Sequence, residues 1–366
     1  MSVVKMTTDD SSKGSSGWII LIVVIAVIGV MGIILLIIWW MTKQDSENGA
    51  NSTNGGNRGI SIRCNGNCGV GTRVFNFVND TDQTIWVGAR WQKLDTGEVI
   101  TGPLTGFKIE PNQCITKCVP DRVTGRIWPR TDCITDSDGK FVCKTGDCGR
   151  PDNNFGVECN DATGLPPVII GEFTLSNPND FYDLSNVDGY NIGMEINTSG
   201  GTDVPMDDTQ FSCGSPTCKM NTATVCPDEL IQADTGACFS ICKAVNDKDQ
   251  VAQHAILQQY VNNIPAADRG NLVDFLCCQC SDGSIRDIKC GESGCAFGCS
   301  PFDPSNPPNQ VCTVGPNEYP EWPEASNGKN YAQVFKESCP DAYSWQFDDF
   351  NSTYQCKNPD YTIRFY

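Results

Sequence analysis

The chain is strongly acidic and rich in cysteine: its 366 residues include 22 cysteines and one histidine, and its net charge is −18. A surface this negative repels phosphate backbones, so nucleic acid is excluded as a partner. With His254 as its one histidine, the chain does not suit histidine-based catalysis or a Cys/His zinc site. We therefore expect disulfides in an oxidising compartment, with no bound metal and no cofactor.

An uncharged apolar segment of 24 residues occupies positions 18–41. As a helix, the stretch from Trp18 to Trp39 would span about 32 Å, close to the thickness of a hydrocarbon core. Tryptophans at both ends are typical of membrane interfaces, whereas a cleaved signal peptide has an apolar region of about 7–15 residues. The sequence predicts a cytosolic tail over residues 1–16 and a transmembrane signal anchor over residues 17–41.

The orientation of this single-pass protein is predicted from its cysteines, because all of them follow the apolar segment. Disulfides form on the lumenal or extracellular side, so we expect the C-terminal domain there. Four N-glycosylation sequons agree with a glycoprotein exposed on that side. They begin at Asn51, Asn79, Asn197 and Asn351.

A polar segment rich in glycine and asparagine follows the apolar one over residues 44–59. It shows no hydrophobic periodicity, which predicts a flexible stalk, here placed over residues 42–72. Cys64 and Cys68 lie at the end of this stalk and are expected to staple it near the start of the folded domain.

Short runs rich in β-branched and aromatic residues begin at Arg73 and continue to about residue 200. They alternate in hydrophobicity and are separated by glycine, proline, asparagine and aspartate, which predicts an antiparallel β-sandwich. Residues 213–340 are rich in cysteine and contain one helical pattern, over residues 249–262. We predict a lobe held by disulfides rather than by a conventional apolar core, then a final β section over residues 342–366.

Four motifs carry a resemblance to a known family. Residues 139–148 read GKFVCKTGDC, and GEFTL at 171–175, FYDLSNVDGYN at 181–191 and CPDAYS at 339–344 follow in order. The chain resembles the thaumatin-like proteins over roughly residues 73–366. The resemblance implies a mainly β fold, with a sandwich and a disulfide-rich lobe in one domain.

The resemblance also implies seven disulfides. They are Cys133–Cys143, Cys148–Cys159, Cys213–Cys356, Cys218–Cys339, Cys226–Cys238, Cys242–Cys277 and Cys278–Cys312. An eighth bridge of the family would join positions that hold Thr81 and Tyr366 here, so these two residues are expected to be close but not linked.

Eight further cysteines have no counterpart in the family's pattern. They are Cys64, Cys68, Cys114, Cys118, Cys280, Cys290, Cys295 and Cys299. The last four lie in one insertion and are expected to pair with one another, while Cys114 and Cys118 are candidate partners for Cys64 and Cys68. Three segments are longer than in typical family members, at residues 149–158, 243–276 and 279–311. They are either contact surfaces for neighbouring proteins or neutral surface elaboration.

Family members that bind β-1,3-glucans carry one arginine and four carboxylates in a cleft between sandwich and lobe. The matching residues are Arg126, Glu172, Asp183, Asp188 and Asp348. Carboxylates accept hydrogen bonds from pairs of sugar hydroxyls, and an arginine can hold such a cluster together. Clustered like charges raise the pKa of at least one member, so Glu172 is the candidate proton donor and Asp188 the candidate nucleophile or base of a weak endo-glucanase.

Two classes of function remain open at this point. In the first, a membrane-anchored domain binds cell-wall glycan of the β-1,3-glucan type through its acidic cleft, with weak turnover or none. In the second, the chain is a structural or attachment protein of a membrane-associated assembly such as a virus particle, and its insertions are the contact surfaces. The acidic cluster would then serve the architecture of the domain, with Arg126 in a salt bridge between sandwich and lobe.

Overall fold

The computed structural model describes residues 64, 66–149, 156–206, 211–262, 272–277, 319 and 322–366. The predicted cytosolic tail, signal anchor and most of the stalk lie outside these residues, and so do Cys278–Cys312 and the four cysteines of the 279–311 insertion. Among the described residues, no helix is both long enough and apolar enough to cross a membrane.

The described part of the chain forms fifteen strands and six short helices. The strands are β1 (Thr72–Asn79), β2 (Ile85–Lys93), β3 (Val99–Ile100), β4 (Gly106–Ile109), β5 (Cys114–Pro120), β6 (Val123–Thr135), β7 (Phe141–Thr145), β8 (Cys148–Gly149), β9 (Thr163–Gly164), β10 (Ile170–Leu175), β11 (Asn179–Ser185), β12 (Met194–Ser199), β13 (Thr217–Cys218), β14 (Tyr354–Lys357) and β15 (Asp360–Phe365). The helices are α1 (Thr222–Val225), α2 (Ile241–Asn246), α3 (Lys248–Gln253), α4 (Ala255–Asn262), α5 (Leu272–Cys277) and α6 (Tyr331–Lys336), and two 3₁₀ turns cover Asp228–Leu230 and Asp349–Asn351.

Two large sheets contain most of these strands. The first has the order β13-β12-β15-β1-β5, and the second has the order β14-β11-β10-β6-β2-β3, with β4 beside β2 and β7 beside β6. The described pairings in them are antiparallel except for β1 and β15, which run parallel. The predicted antiparallel arrangement is wrong at this pair, because the first and last strands of the domain lie side by side in one direction.

The two sheets pack face to face through large aromatic side chains. Phe75 of the first sheet lies 5.7 Å from Trp91 and 5.1 Å from Phe173 of the second, measured between ring centroids. Tyr361 of β15 joins them at 5.2 Å from Phe173. Each such ring removes a large apolar area from water, so this aromatic layer is a main source of stability for the sandwich.

The lobe carries more apolar core than the sequence predicts. Leu230, Ile241, Leu257 and Phe335 are all at most 1% exposed, and they belong to the same buried cluster as the sandwich residues. The prediction that disulfides replace an apolar core in the lobe is therefore wrong: the lobe has both, and its core is formed by residues far apart in sequence.

The single helix predicted over residues 249–262 is two helices, α3 and α4. They are separated by His254, whose backbone is extended with φ −121° and ψ 112°. The Gln250 side chain donates to the carbonyl oxygens of Glu229 at 3.2 Å and Ile231 at 2.7 Å, which fastens α3 to the neighbouring 3₁₀ turn. We attribute the break to this tertiary contact, which local periodicity does not record.

Eight disulfides lie among the described residues. They are Cys64–Cys114, Cys68–Cys118, Cys133–Cys143, Cys148–Cys159, Cys213–Cys356, Cys218–Cys339, Cys226–Cys238 and Cys242–Cys277. Six of them are pairs that the family resemblance implies. Each contributes about 2–4 kcal/mol, mainly by restricting the unfolded chain.

The end of the predicted stalk belongs to the folded domain. Two disulfides, at Cys64 and at Cys68, tie it to β5, the edge strand of the five-stranded sheet. Between them, a Cβ atom added to Gly66 would lie 2.2 Å from the Thr116 side chain, so the segment passes directly over this strand. The attached segment therefore lies against one face of β5, since residues 114, 116 and 118 share a face of the strand.

Polar contacts replace the family's eighth disulfide near Thr81 and Tyr366. The Asp80 backbone N–H donates to the Phe365 carbonyl at 2.9 Å, and the Arg364 guanidinium lies 2.7 Å from the Asp80 carboxylate. Thr81 and Tyr366 thus flank a point where the first and last strands meet without a covalent link.

The sequon at Asn79 is closed in the folded domain. Its side chain is fully buried and donates to the carbonyl oxygens of Gln83 at 2.8 Å and Ile109 at 3.1 Å. In the folded domain, a glycan on Asn79 would replace one of the two amide hydrogens and so remove at least one of these hydrogen bonds.

Candidate functional site

A groove of about 450 Å³ lies between the eight-stranded sheet and the lobe. Its charged lining comes from three strands, from the segment after β11, from α2 and from the 3₁₀ turn before β14. These residues are Arg126, Glu172, Asp183, Asp188, Lys243 and Asp349.

Three of the lining residues form a row across neighbouring strands. Arg126 of β6 is paired in register with Glu172 of β10, and Glu172 is paired with Asp183 of β11. Directly opposite residues in an antiparallel sheet have Cβ atoms about 4.5–5.5 Å apart, so the three side chains necessarily meet on one face. The Arg126 guanidinium lies 3.0 Å from the Glu172 carboxylate, with 37% and 38% of the two side chains exposed.

Asp188 faces the row and is paired with a lysine of the lobe. The Lys243 ammonium lies 2.8 Å from the Asp188 carboxylate, and 34% of the lysine side chain remains exposed. This ion pair joins the sandwich to α2 across the groove. In the sequence, Lys243 stands only at the start of an insertion, and its position directly after Cys242 is the one signal that could have located it.

Asp348 does not line the groove, contrary to the prediction. Its side chain is 7% exposed and its carboxylate lies 2.9 Å from the Lys336 ammonium, with the Ser344 backbone N–H donating at 3.0 Å. The neighbouring Asp349 takes the position in the groove and accepts a hydrogen bond from the Tyr343 hydroxyl at 2.7 Å. The two side chains diverge because they begin a 3₁₀ turn, in which successive residues are rotated by about a third of a circle.

Burial and like charge shift the titration of the row. Loss of hydration raises the pKa of Glu172, opposed by Arg126 and reinforced by the charge of Asp188. The pKa of Asp183 is raised well above its ordinary value, first by burial and then by Glu172 and Asp349. Among the described residues, the buried Oδ1 of Asp183 has no hydrogen-bond partner.

The groove therefore holds carboxyl groups in different surroundings. Glu172 and Asp183 bind protons more readily than ordinary carboxyls, while Asp188 lies against a lysine. A protonated carboxyl donates a hydrogen bond and an ionised one accepts two or more, so the arrangement suits a ligand that presents several hydroxyl groups. It also provides a candidate acid beside a candidate base.

Comparison with known proteins assigns the chain to a family. A model described as the Thaumatin family matches residues 79–261 and 267–366. The chain belongs to the thaumatin family. Its relatives include the pathogenesis-related thaumatin-like protein 3.5 of Cryptomeria japonica, 33% identical over 303 residues, which are 82% of this chain and 92% of that protein.

Two other similar proteins are named after activity on glucans. A glucan endo-1,3-beta-glucosidase of Prunus avium is 28% identical over 300 residues, which are 81% of this chain and 91% of that protein. Among solved structures, a laminaripentaose-producing beta-1,3-glucanase in complex with laminaritetraose is 12% identical, with a TM-score of 0.43, and the match covers 80% of this chain and 98% of that one.

The family's signature run supports the strand that carries Arg126. The run forms β7 and the start of β8, where Cys143 is bonded to Cys133 of β6. The Trp128 indole N–H donates to the Gly146 carbonyl at 2.8 Å, and the Trp128 side chain is fully buried. Two residues before this buried indole, Arg126 is held in register at the groove.

Replacing Asp183 with asparagine is expected to stabilise the domain at neutral pH by about 1 kcal/mol or more, because it removes a carboxylate charge that burial, Glu172 and Asp349 all disfavour. The folded domain binds the Asp183 proton more tightly than the unfolded chain does. Stability therefore falls as pH rises from the ordinary pKa of 3.8 through the raised pKa. The increase in stability of the asparagine variant over wild type should be complete above the raised pKa of Asp183 and should vanish below pH 3.8.

Thermal unfolding between pH 3 and pH 8 measures this effect, with a shift of roughly 2–4 °C per kcal/mol. Asp138→Asn is the matched control, because it removes the same charge from an exposed position in the turn between β6 and β7. If the two variants have the same pH profile, the buried carboxyl of Asp183 does not destabilise the folded domain at neutral pH.

Proposed function

We propose that the chain binds a polysaccharide of the β-1,3-glucan type in the groove between sandwich and lobe. The observation that carries the proposal is the charged row Arg126–Glu172–Asp183, which faces the Lys243–Asp188 pair across the groove. The relative from Prunus avium named as a glucan endo-1,3-beta-glucosidase supports this class of ligand.

The chemistry of the groove fits a neutral, hydroxyl-rich polymer better than a charged one. Its acidic groups repel polyanions, and its lysine and arginine are each already paired with a carboxylate. Pairs of sugar hydroxyls can replace the water around Glu172 and Asp183, both donating to and accepting from these carboxyls. We therefore propose that hydrogen bonding to hydroxyl groups determines binding.

Turnover is a second, slower activity in this proposal. Glu172 is the candidate proton donor, since its pKa is raised by burial and by Asp188. Asp188 is the candidate nucleophile or base, but its carboxylate is already engaged by the Lys243 ammonium at 2.8 Å and is not free to approach a sugar carbon. We accordingly propose a binding protein with weak endo-glucanase activity at most.

We also propose that residues 17–41 anchor the chain in a membrane, with the disulfide-bonded domain on the lumenal or extracellular side. The uncharged 24-residue segment at 18–41 and the cysteines that follow it support this placement. Protease treatment of sealed vesicles that carry the chain should leave the C-terminal domain intact until detergent is added. Its digestion without detergent would reverse the orientation.

The function is tested by binding of the full-length chain to insoluble β-1,3-glucan, with cellulose as the matched β-1,4-linked control. We expect depletion of the chain from solution by β-1,3-glucan and release by soluble β-1,3-oligosaccharides. Reducing ends are measured in the same samples to detect turnover. If β-1,3-glucan depletes the chain no more than cellulose does, the proposal fails and a structural or attachment role replaces it.

A further inference from the structure

A second depression, of about 380 Å³, continues from the groove onto the outer face of the eight-stranded sheet. The two share Arg126, Glu172 and Asp183, so the charged row is the boundary between them rather than the end of the site. The groove lies on one side of this row, towards the lobe, and the second depression lies on the other side, away from it.

The path across this boundary follows the register of β10 and β11. Three cross-strand pairs succeed one another along the two strands: Ile170 with Ser185, Glu172 with Asp183, and Thr174 with Phe181. Each step of two residues advances about 6.8 Å along the strands, and side chains two apart share a face. The first pair lines the groove, the second is the charged row, and the third lines the second depression.

The third pair brings an exposed aromatic ring beside two hydroxyl groups. Phe181 is 40% exposed, whereas its neighbour Tyr182 on the other face is 1% exposed. Thr174, opposite Phe181, lies next to Thr124 of β6, with their hydroxyl oxygens 3.1 Å apart. Phe181 therefore offers an aromatic surface to a ligand in this depression, directly beside the charged row.

A pyranose ring matches this combination. It presents C–H groups on one face, which pack against an aromatic ring, and hydroxyl groups around its edge, which hydrogen bond to threonine hydroxyls. The first and third pairs lie about 14 Å apart along the strands, so a ligand that contacts both must be longer than a single sugar ring. One glycan chain can therefore run from the groove, across the charged row, onto Phe181.

We propose that this depression is a second glycan subsite, in which Phe181 stacks on a sugar ring of the same chain that occupies the acidic groove. Thr124 and Thr174 hydrogen bond to that sugar, and Arg126 lies between the two parts of the site. This inference rests on the proposed function. If one chain fills both parts of the site, affinity increases with the length of the ligand, so long β-1,3-oligosaccharides bind more tightly than short ones.

The test is calorimetric titration of the full-length chain with β-1,3-linked glucose oligomers of three and six units. Wild type should bind the hexamer at least tenfold more tightly than the trimer. Phe181→Ala should weaken hexamer binding about tenfold, within the range of aromatic pair energies, and change trimer binding less than twofold. Phe181→Tyr keeps the ring and should bind like wild type, while Phe181→Leu keeps an apolar side chain without the ring and should behave like alanine.

Ile134→Ala is the control for removing an exposed apolar side chain elsewhere on the sheet, since Ile134 is 62% exposed on the strand next to β7. The subsite is overturned if Phe181→Ala leaves the ratio of hexamer to trimer affinity unchanged, even though wild type binds both. If wild type binds neither oligomer nor the insoluble polymer, the proposed function fails, and the subsite fails with it. Melting temperatures of all variants establish that each one is folded.

Discussion

Replacing Lys336 with alanine is expected to destabilise the domain by about 3–5 kcal/mol, because it leaves a buried carboxylate without its cation. The Lys336 ammonium lies 2.9 Å from the Asp348 carboxylate, 2.9 Å from the Ser352 hydroxyl and 3.0 Å from the Ala342 carbonyl. Both side chains of the ion pair are less than a tenth exposed. Chemical denaturation under non-reducing conditions measures the loss.

Two further variants separate loss of the ion pair from loss of packing. The double variant Lys336→Met with Asp348→Asn removes both charges and should recover most of the stability, since a buried neutral pair leaves no uncompensated ion. Lys329→Ala removes a lysine from an exposed pair with Glu337 and should cost less than about 1 kcal/mol. If Lys336→Ala and Lys329→Ala unfold at the same denaturant concentration, the buried pair is not a stabilising element.

The Lys336–Asp348 pair also shows where sequence reasoning about the site failed. Asp348 and Asp349 are adjacent, and motif matching selected the first, but the 3₁₀ turn directs the first towards α6 and the second into the groove. Which of two adjacent carboxylates faces a cleft depends on the rotation of a turn. That rotation is determined by contacts with α6, which are distant in sequence.

The site residues that lie on strands were predictable, because the spacing of residues along a strand determines which face of the sheet they occupy. Alternation along each strand decides the face, so Glu172 and Asp183 point outward between buried neighbours, and Arg126 points outward just before the buried Ile127. Lys243 was missed for the opposite reason. It comes from a short helix of the lobe, and the sequence around it does not record that this helix lies across from Asp188.

The same distinction applies to the fold. Local alternation of hydrophobicity predicts the strands of the sandwich. The family resemblance implies seven disulfides, and six of them lie among the described residues. The parallel pairing of β1 with β15 and the break at His254 depend on contacts between segments far apart in the chain. Hydrophobic periodicity carries no information on either.

Replacing Arg126 with alanine is expected to weaken binding of β-1,3-glucan about 10- to 100-fold, the range for loss of hydrogen bonds to a charged group. Arg126 opposes the rise of the pKa of both Glu172 and Asp183. Without it, both carboxyls should hold their protons to higher pH, and repulsion among those that ionise would disorder the row that contacts the sugar hydroxyls. Titration calorimetry with a short β-1,3-oligosaccharide measures the effect.

Two further variants, Arg126→Lys and Arg122→Ala, separate the effect of the guanidinium from that of its charge and from the loss of an arginine elsewhere. Lysine keeps the positive charge but not the planar fork that reaches the Glu172 carboxylate, so binding should be intermediate. Arg122 is an exposed arginine in the turn before β6 that pairs with Asp95, outside the groove, and its removal should leave affinity within twofold of wild type. A folded Arg126→Ala variant with wild-type affinity would show that the row does not contact the ligand. In that case the acidic cluster serves the junction of sandwich and lobe instead, and the Lys243–Asp188 pair becomes the contact to remove next.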